Sequence, residues 1–145
     1  MITKQNSAAS LSGTAEYGAF SLRVSLGIIM IAHALLKAIV FTMPGTVAFF
    51  NSVGFPGALA YPVVAAEFFG GIALVLGFQT RLAALGLVPV LLGAATVHFA
   101  NGWVFNAPNG GWEYPVFLAV GVVVQSLLGS GAFSIDGWRA QQTHA

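Results

Sequence analysis

Long apolar runs, separated by short polar or aromatic segments, make up most of this chain. Four of them, residues 19–41, 58–78, 82–100 and 114–133, reach the roughly 20 mostly apolar residues that a membrane-crossing helix needs. Gln79, Thr80 and Arg81 alone join the second run to the third. So short a connection predicts an antiparallel hairpin. Pro89 is expected to bend the third helix, with neighbouring helices compensating for the lost backbone bond. Residues 1–18 are polar and small and read as a short, poorly ordered cytoplasmic tail. Lys4 is the one base there, and no short apolar core follows it as in a cleaved signal peptide. Residues 134–145 read as a second cytoplasmic tail.

The connections set an orientation. Lys4, Arg81 and Arg139 share one side if both termini face the cytoplasm, as the positive-inside rule requires. Residues 42–57 and 101–113 hold no Lys or Arg, but carry Phe49, Phe50, Phe55, Trp103, Phe105 and Trp112. Such rings suit an interfacial aromatic belt. Within the first connection, TVAFFNSV suits a short helix lying in the interface. The expected architecture is an all-α membrane protein: four transmembrane helices in an antiparallel bundle, both termini cytoplasmic.

Composition strengthens this reading. Of 145 residues, 57% are hydrophobic and 6% charged, and the mean hydropathy is +0.86. Soluble domains carry roughly a quarter charged residues, so this chain belongs in the lipid bilayer. The net charge of +1, without a basic block, argues against nucleic acid as a partner. Cysteine is absent, which excludes disulfides, thiol redox chemistry and cysteinyl iron–sulfur ligation within the chain. A redox role would need a bound cofactor or a partner subunit.

With so few charges, an ionisable group inside the membrane is a functional suspect until its partner is found. Arg23, His33 and Lys37 fall within an arc of about 80° on the first helix, at 100° per residue. Glu67 lies near the middle of the second run, followed by Gly70 and Gly71, which would let a backbone or a flat ligand come close. His98 and Asn101 lie at the outer end of the third run, and Glu113 at the outer start of the fourth. His33, Lys37, Glu67, His98 and Glu113 thus point to an outward-opening polar pocket.

Plainer readings stand beside that one. Glu113 is equally suited to satisfying the N-terminus of its helix. Trp112 and Tyr114 suit belt anchors, Arg81 a topology determinant, and Arg23 and Lys37 bases that snorkel to headgroups. Glu67 is either neutral, paired with Lys37 or hydrogen-bonded to His33. Gln125, Gly121 and Gly129 share a face with Tyr114 that suits helix packing.

The chain resembles the DoxX family of small four-helix bacterial membrane proteins. The resemblance rests on RVSLGIIMIAHALLKA (23–38), AEFFGGIALVLGFQTRLAAL (66–85), VHFANGW (97–103) and GGWEYP (110–115). It covers residues 21–136. The most specific elements are HxxxK, ExxGG followed by a TR turn, and GGWEYP; the glycine that often follows the first-helix histidine is here Ala34. By this resemblance His33, Lys37, Glu67, Arg81, His98, Asn101, Glu113 and Tyr114 match the family's polar positions. It implies a multi-pass protein of the bacterial inner membrane, associated with thiosulfate–quinone oxidoreductase, quinol oxidase or oxidative-stress assemblies.

Several functions compete on this basis. A quinone-binding oxidoreductase subunit would use His33 or His98 at a ring oxygen and Glu67 or Glu113 for proton transfer. Lys37 would stabilise an anion, with Asn101 and Tyr114 in the same pocket. Electrons would come from a partner redox subunit. Bis-histidine haem is disfavoured, because His33 and His98 differ in depth; a His/Glu site for a harder metal stays open, although Lys37 opposes a cation. No haem or iron–sulfur group is expected in the chain. The alternative is a non-catalytic anchor or assembly subunit whose polar cluster is structural, working with a partner or as a homo-oligomer. A permease is the last option, and the chain shows no clear inverted repeat to support it.

Overall fold

The computed structural model describes residues 2–143, with side chains from Gly13 onward; Met1, the Lys4 side chain, His144 and Ala145 lie outside it. The first 43 residues contain no proline, and helix α1 runs through Ile2–Leu35 before ending in a π turn over Leu36–Val40. The segment expected to be an unstructured tail is therefore helical and continuous with the first span. Hydropathy distinguished it from the membrane run, but said nothing about its backbone.

After the π turn come α2 (Met43–Ser52), α3 (Ala60–Leu76), α4 (Thr80–His98), α5 (Glu113–Leu128) and α6 (Ile135–Thr143). No strand occurs among the described residues. The short helix expected around TVAFFNSV is α2. Its first turn has the chemistry of a helix start: Thr42 Oγ1 accepts from the Gly45 N–H at 3.3 Å, and Pro44 needs no donor there.

Three segments are long and apolar enough to cross a membrane: 13–40, 57–76 and 80–101. The fourth expected span, 114–133, is shorter than its hydropathy suggested. α5 ends at Leu128 after 16 residues, about 24 Å at 1.5 Å per residue. Gly129, Gly131 and Phe133 take φ of 86°, 64° and 51° and break the helix. The chain then folds across the basic end of the bundle, where the Ala132 N–H donates to the Glu16 carbonyl at 3.1 Å.

The helices form a ring in which α1 and α4 each pack on α3 and α5. The centre is Leu26 and Met30 of α1, Leu74 of α3, Leu87 and Leu91 of α4, and Leu118 and Val122 of α5. Large apolar side chains also face outward, among them Ile28, Phe69, Leu82, Phe117 and Leu127. A helix apolar on both faces fits lipid on one side and protein on the other.

α1 and α3 touch backbone to backbone. A Cβ at Gly71 would lie 2.8 Å from the Gly27 carbonyl oxygen, and one at Gly27 would lie 2.7 Å from that of Gly71. Gly71, expected to admit a backbone or a ligand, admits a backbone. Gly71→Ala is expected to push the helices apart and lower stability by about 1–3 kcal/mol. Denaturant unfolding in detergent checks this, and unchanged stability would refute the close crossing.

Arg23, expected to reach headgroups, is instead fully buried at 0% exposure. It donates to the carbonyls of Leu74 and Val75 at 2.6 and 2.7 Å, and to those of Ala132 and Phe133 at 3.2 and 3.0 Å. Gln125 is buried with it on the packing face of α5, and its Nε2 donates to the Gly129 carbonyl at 2.7 Å.

The C-terminal segment, expected to be a tail, forms α6 and caps α4. Asp136 Oδ1 accepts from the Gln79 N–H at 2.8 Å and Oδ2 from the Thr80 N–H at 2.9 Å. Burial pushes this carboxyl up, but the Thr80 and Gln79 N–H donors and the Arg139 charge outweigh it, holding the pKa below the ordinary value. A depressed folded pKa stabilises the protein above the ordinary aspartate value of about 3.9, and the effect is lost as pH falls through the folded value. Asp136→Ala is therefore expected to cost about 1 kcal/mol at neutral pH. Unfolding measured across the acid range should show the gap between variant and parent closing.

Candidate functional site

The ring of helices is closed around its core but opens toward the end opposite Arg81 and Arg139. There a cavity of about 840 Å³ is bounded by α1, α2, α3, α4 and α5. Its walls are mostly apolar: Met30, Leu91 and Leu118 from the core, Phe49, Phe50 and Phe55 from the first connection. Five expected site residues line it, His33, Lys37, Glu67, His98 and Tyr114.

The π turn positions the central pair. The Phe41 N–H reaches back five residues to the Leu36 carbonyl at 3.0 Å, which widens the last turn of the first helix. Such turns are frequent where a helix must re-aim a side chain at a functional site. Here it carries Lys37, whose Nζ donates to both Glu67 oxygens at 2.8 Å. Of the alternatives for Glu67, the ion pair with Lys37 is the one realised. The pair is asymmetric in access, with side chains 23% exposed for Lys37 and 6% for Glu67.

Thr46 was not anticipated from the sequence. Buried on α2, its hydroxyl donates to the Lys37 carbonyl at 2.8 Å. The widened turn is thus tied to the helix that covers the cavity. The expectation of a short helix at TVAFFNSV placed α2 but not its register against Lys37.

His33 sits one turn before Lys37, with its ring centroid 5.9 Å from that of Tyr114 and tilted by 35°. Tyr114, expected as a belt anchor, is a cavity residue. His98 lines the opposite wall, its Nδ1 3.0 Å from the Asn109 carbonyl and 3.2 Å from that of Gly110.

Asn101 and Glu113 do not line the cavity. Asn101 Nδ2 donates to the same two carbonyls at 3.1 and 2.9 Å. Glu113 opens α5, and its Oε1 accepts from the Phe105 N–H at 2.8 Å. Both residues brace the loop between α4 and α5. Trp112 packs there too, edge-on to Trp103 with centroids 4.4 Å apart and stacked on Phe99 at 5.4 Å. Of this loop, Asn109 alone reaches the cavity lining. Arg81, at the other end, is remote from the cavity and lies beside Gly129.

No cluster of three or more His, Cys, Asp or Glu suited to a metal ion occurs among the described residues. The arrangement offers a charged hydrogen-bonding pair, two imidazoles and a phenol around an apolar space. Such a site suits an uncharged, largely apolar ligand with a few polar atoms.

Apolar helices of this length, with ionisable groups turned into a common interior, define a multi-pass α-helical membrane protein. The chain belongs to the DoxX family, whose pattern matches residues 18–100. It is also 34% identical, over 122 residues, to the Bacillus subtilis (strain 168) protein named "Putative oxidoreductase CatD", a match covering 83% of this chain and 86% of that one. No solved structure matches the chain.

Proposed function

We propose that this protein is a membrane subunit of a quinone-linked oxidoreductase, crossing the bacterial inner membrane four times with both termini cytoplasmic. In this reading α5 completes the fourth crossing, the basic end carrying Arg81 and Arg139 faces the cytoplasm, and the cavity opens on the outer side. The observation that carries it is the cavity itself, whose few polar side chains are set in apolar walls. The redox context is drawn from the name of the Bacillus relative.

The donor set suits a quinone. The Lys37 ammonium has one proton beyond the two held by Glu67, and His33, Tyr114 and His98 supply further polar atoms for ring oxygens. Bound there, a quinone would supply two-electron, two-proton chemistry. Glu67, hydrogen-bonded to Lys37 inside the cavity, is the carboxylate left to take or release a proton, because Glu113 serves the loop. With no cysteine in the chain, electrons would come from a partner redox subunit.

One observation favours the structural alternative, an anchor subunit. The Lys37–Glu67 pair satisfies itself without a ligand. Mass spectrometry of an organic extract, with metal analysis, separates the two on protein purified in mild detergent. Near-stoichiometric quinone that is lost in folded His33→Ala or Glu67→Gln supports the redox site. Absence of quinone and metal, with both variants unfolding, leaves a structural polar core.

A further inference from the structure

His98 ends α4 with its imidazole gripped from one side. Its Nδ1 meets two backbone carbonyls, those of Asn109 and Gly110, at 3.0 and 3.2 Å. A carbonyl oxygen can only accept, so Nδ1 carries the proton. In the neutral ring the other nitrogen, Nε2, is then a bare lone pair. The loop crowds the Cε1–Nδ1 edge, since a Cβ at Gly110 would lie 3.4 Å from each atom. This leaves the Cδ2–Nε2 edge for the cavity that His98 lines. Nε2 has no hydrogen-bond partner among the described residues.

Asn101 sharpens the point. Its amide donates to the same two carbonyls at 3.1 and 2.9 Å. The loop is therefore held even without the imidazole. What His98 adds, and Asn101 does not, is an acceptor of fixed orientation facing an apolar space.

We infer that His98 is a specificity-determining residue that makes the cavity prefer the hydroxyl-bearing, reduced form of a ring ligand over its carbonyl form. This rests on the quinone reading above. A hydroxyl donates to Nε2 and satisfies both groups. A carbonyl oxygen brings no proton, so it and Nε2 cannot pair directly, and such mismatches weigh against the wrong ligand. Lys37 cannot make this distinction, because an ammonium donates equally well to a hydroxyl or a carbonyl oxygen.

The test uses the full chain in lipid nanodiscs, with ¹⁵N-labelled histidine and anaerobic titration by duroquinol or duroquinone. The His98 signals should report a protonated Nδ1 and a lone-pair Nε2 that shifts with duroquinol. Duroquinol should bind tighter than duroquinone by on the order of tenfold. His98→Gln, which can offer either a donor or an acceptor, should erase that ratio, whereas Asn101→Ala should keep it. Equal binding of the two probes by the parent protein, or a lone pair on Nδ1, overturns the assignment and leaves the quinone reading standing. Loss of the ratio in Asn101→Ala also overturns it, by showing that only loop order matters. Binding of neither probe overturns the quinone reading, and the inference with it.

Discussion

Glu67→Leu is expected to lower the unfolding free energy by about 3–5 kcal/mol, the range for removing one partner of a buried ion pair. The loss comes less from the missing attraction than from what is left behind. With Glu67 gone, the Lys37 ammonium faces the apolar lining of Met30, Leu36, Leu91 and Leu118 with no acceptor inside hydrogen-bond distance. Its stem is partly exposed, so some of the penalty can be relieved by snorkelling, which places the effect toward the lower end. Lys37→Met leaves the opposite problem, a carboxylate that is 6% exposed. That group can take up a proton, so this variant should also be milder than a trapped charge. The double variant Lys37→Met/Glu67→Leu should fall within about 1 kcal/mol of the parent, because apolar groups of similar size replace the whole pair. SDS-driven unfolding of all four proteins closes a double-mutant cycle. If the two single losses simply add in the double variant, the pair is not coupled and the site description fails. The double variant then isolates function from stability, since it should be well folded and empty of quinone.

How far this site was legible in the sequence varies from residue to residue. Helical periodicity was enough to put His33 and Lys37 on one face, and the ionic alternative for Glu67 followed from charge alone. It could not select among Lys37, His33 and a neutral carboxyl, because that choice depends on the π turn. One extra residue in a turn leaves no mark in composition, and LKAIV reads like any apolar helix. Glu113 was misplaced for a related reason. Its position at a helix start was clear, but its partner is the Phe105 N–H eight residues back, brought near by the path of the loop. The hairpin at Gln79–Arg81 and the helix at TVAFFNSV were legible because both depend on short local segments. The end of α5 was not. Hydropathy sums side-chain transfer energies, and the run GSGAF stays apolar enough to extend a span even where positive φ angles have already ended the helix.

Arg23→Met is expected to have the largest single effect, a loss on the order of 5 kcal/mol or more. Four carbonyls share this guanidinium: Leu74 and Val75 at the end of α3, Ala132 and Phe133 in the chain that follows α5. Val75 belongs to the set that a helix leaves unpaired at its C-terminus, while Leu74 also accepts from the Gly77 N–H at 3.1 Å. In water they would be solvated, but the side chain that meets them here is fully buried. A charged donor to each contributes roughly 1.5–3 kcal/mol, and the sum is reduced because bonds sharing one group are not additive. Gly77 keeps the space open: a Cβ there would lie 2.8 Å from Arg23 Nη1, and its φ of 66° favours glycine as well. Arg23→Lys should recover less than half of the loss, since one compact ammonium cannot fork between two segments. Hydrogen exchange should show where the damage lies. Protection should fall first over residues 74–79 and 129–136, releasing Asp136 from the start of α4, while the loop braced by Asn101 and Glu113 at the far end keeps its protection. An Arg23→Met protein that unfolds within about 1 kcal/mol of the parent would mean that the guanidinium lies at the surface, as bases near a membrane boundary often do, and that the basic end of the bundle is held by something else.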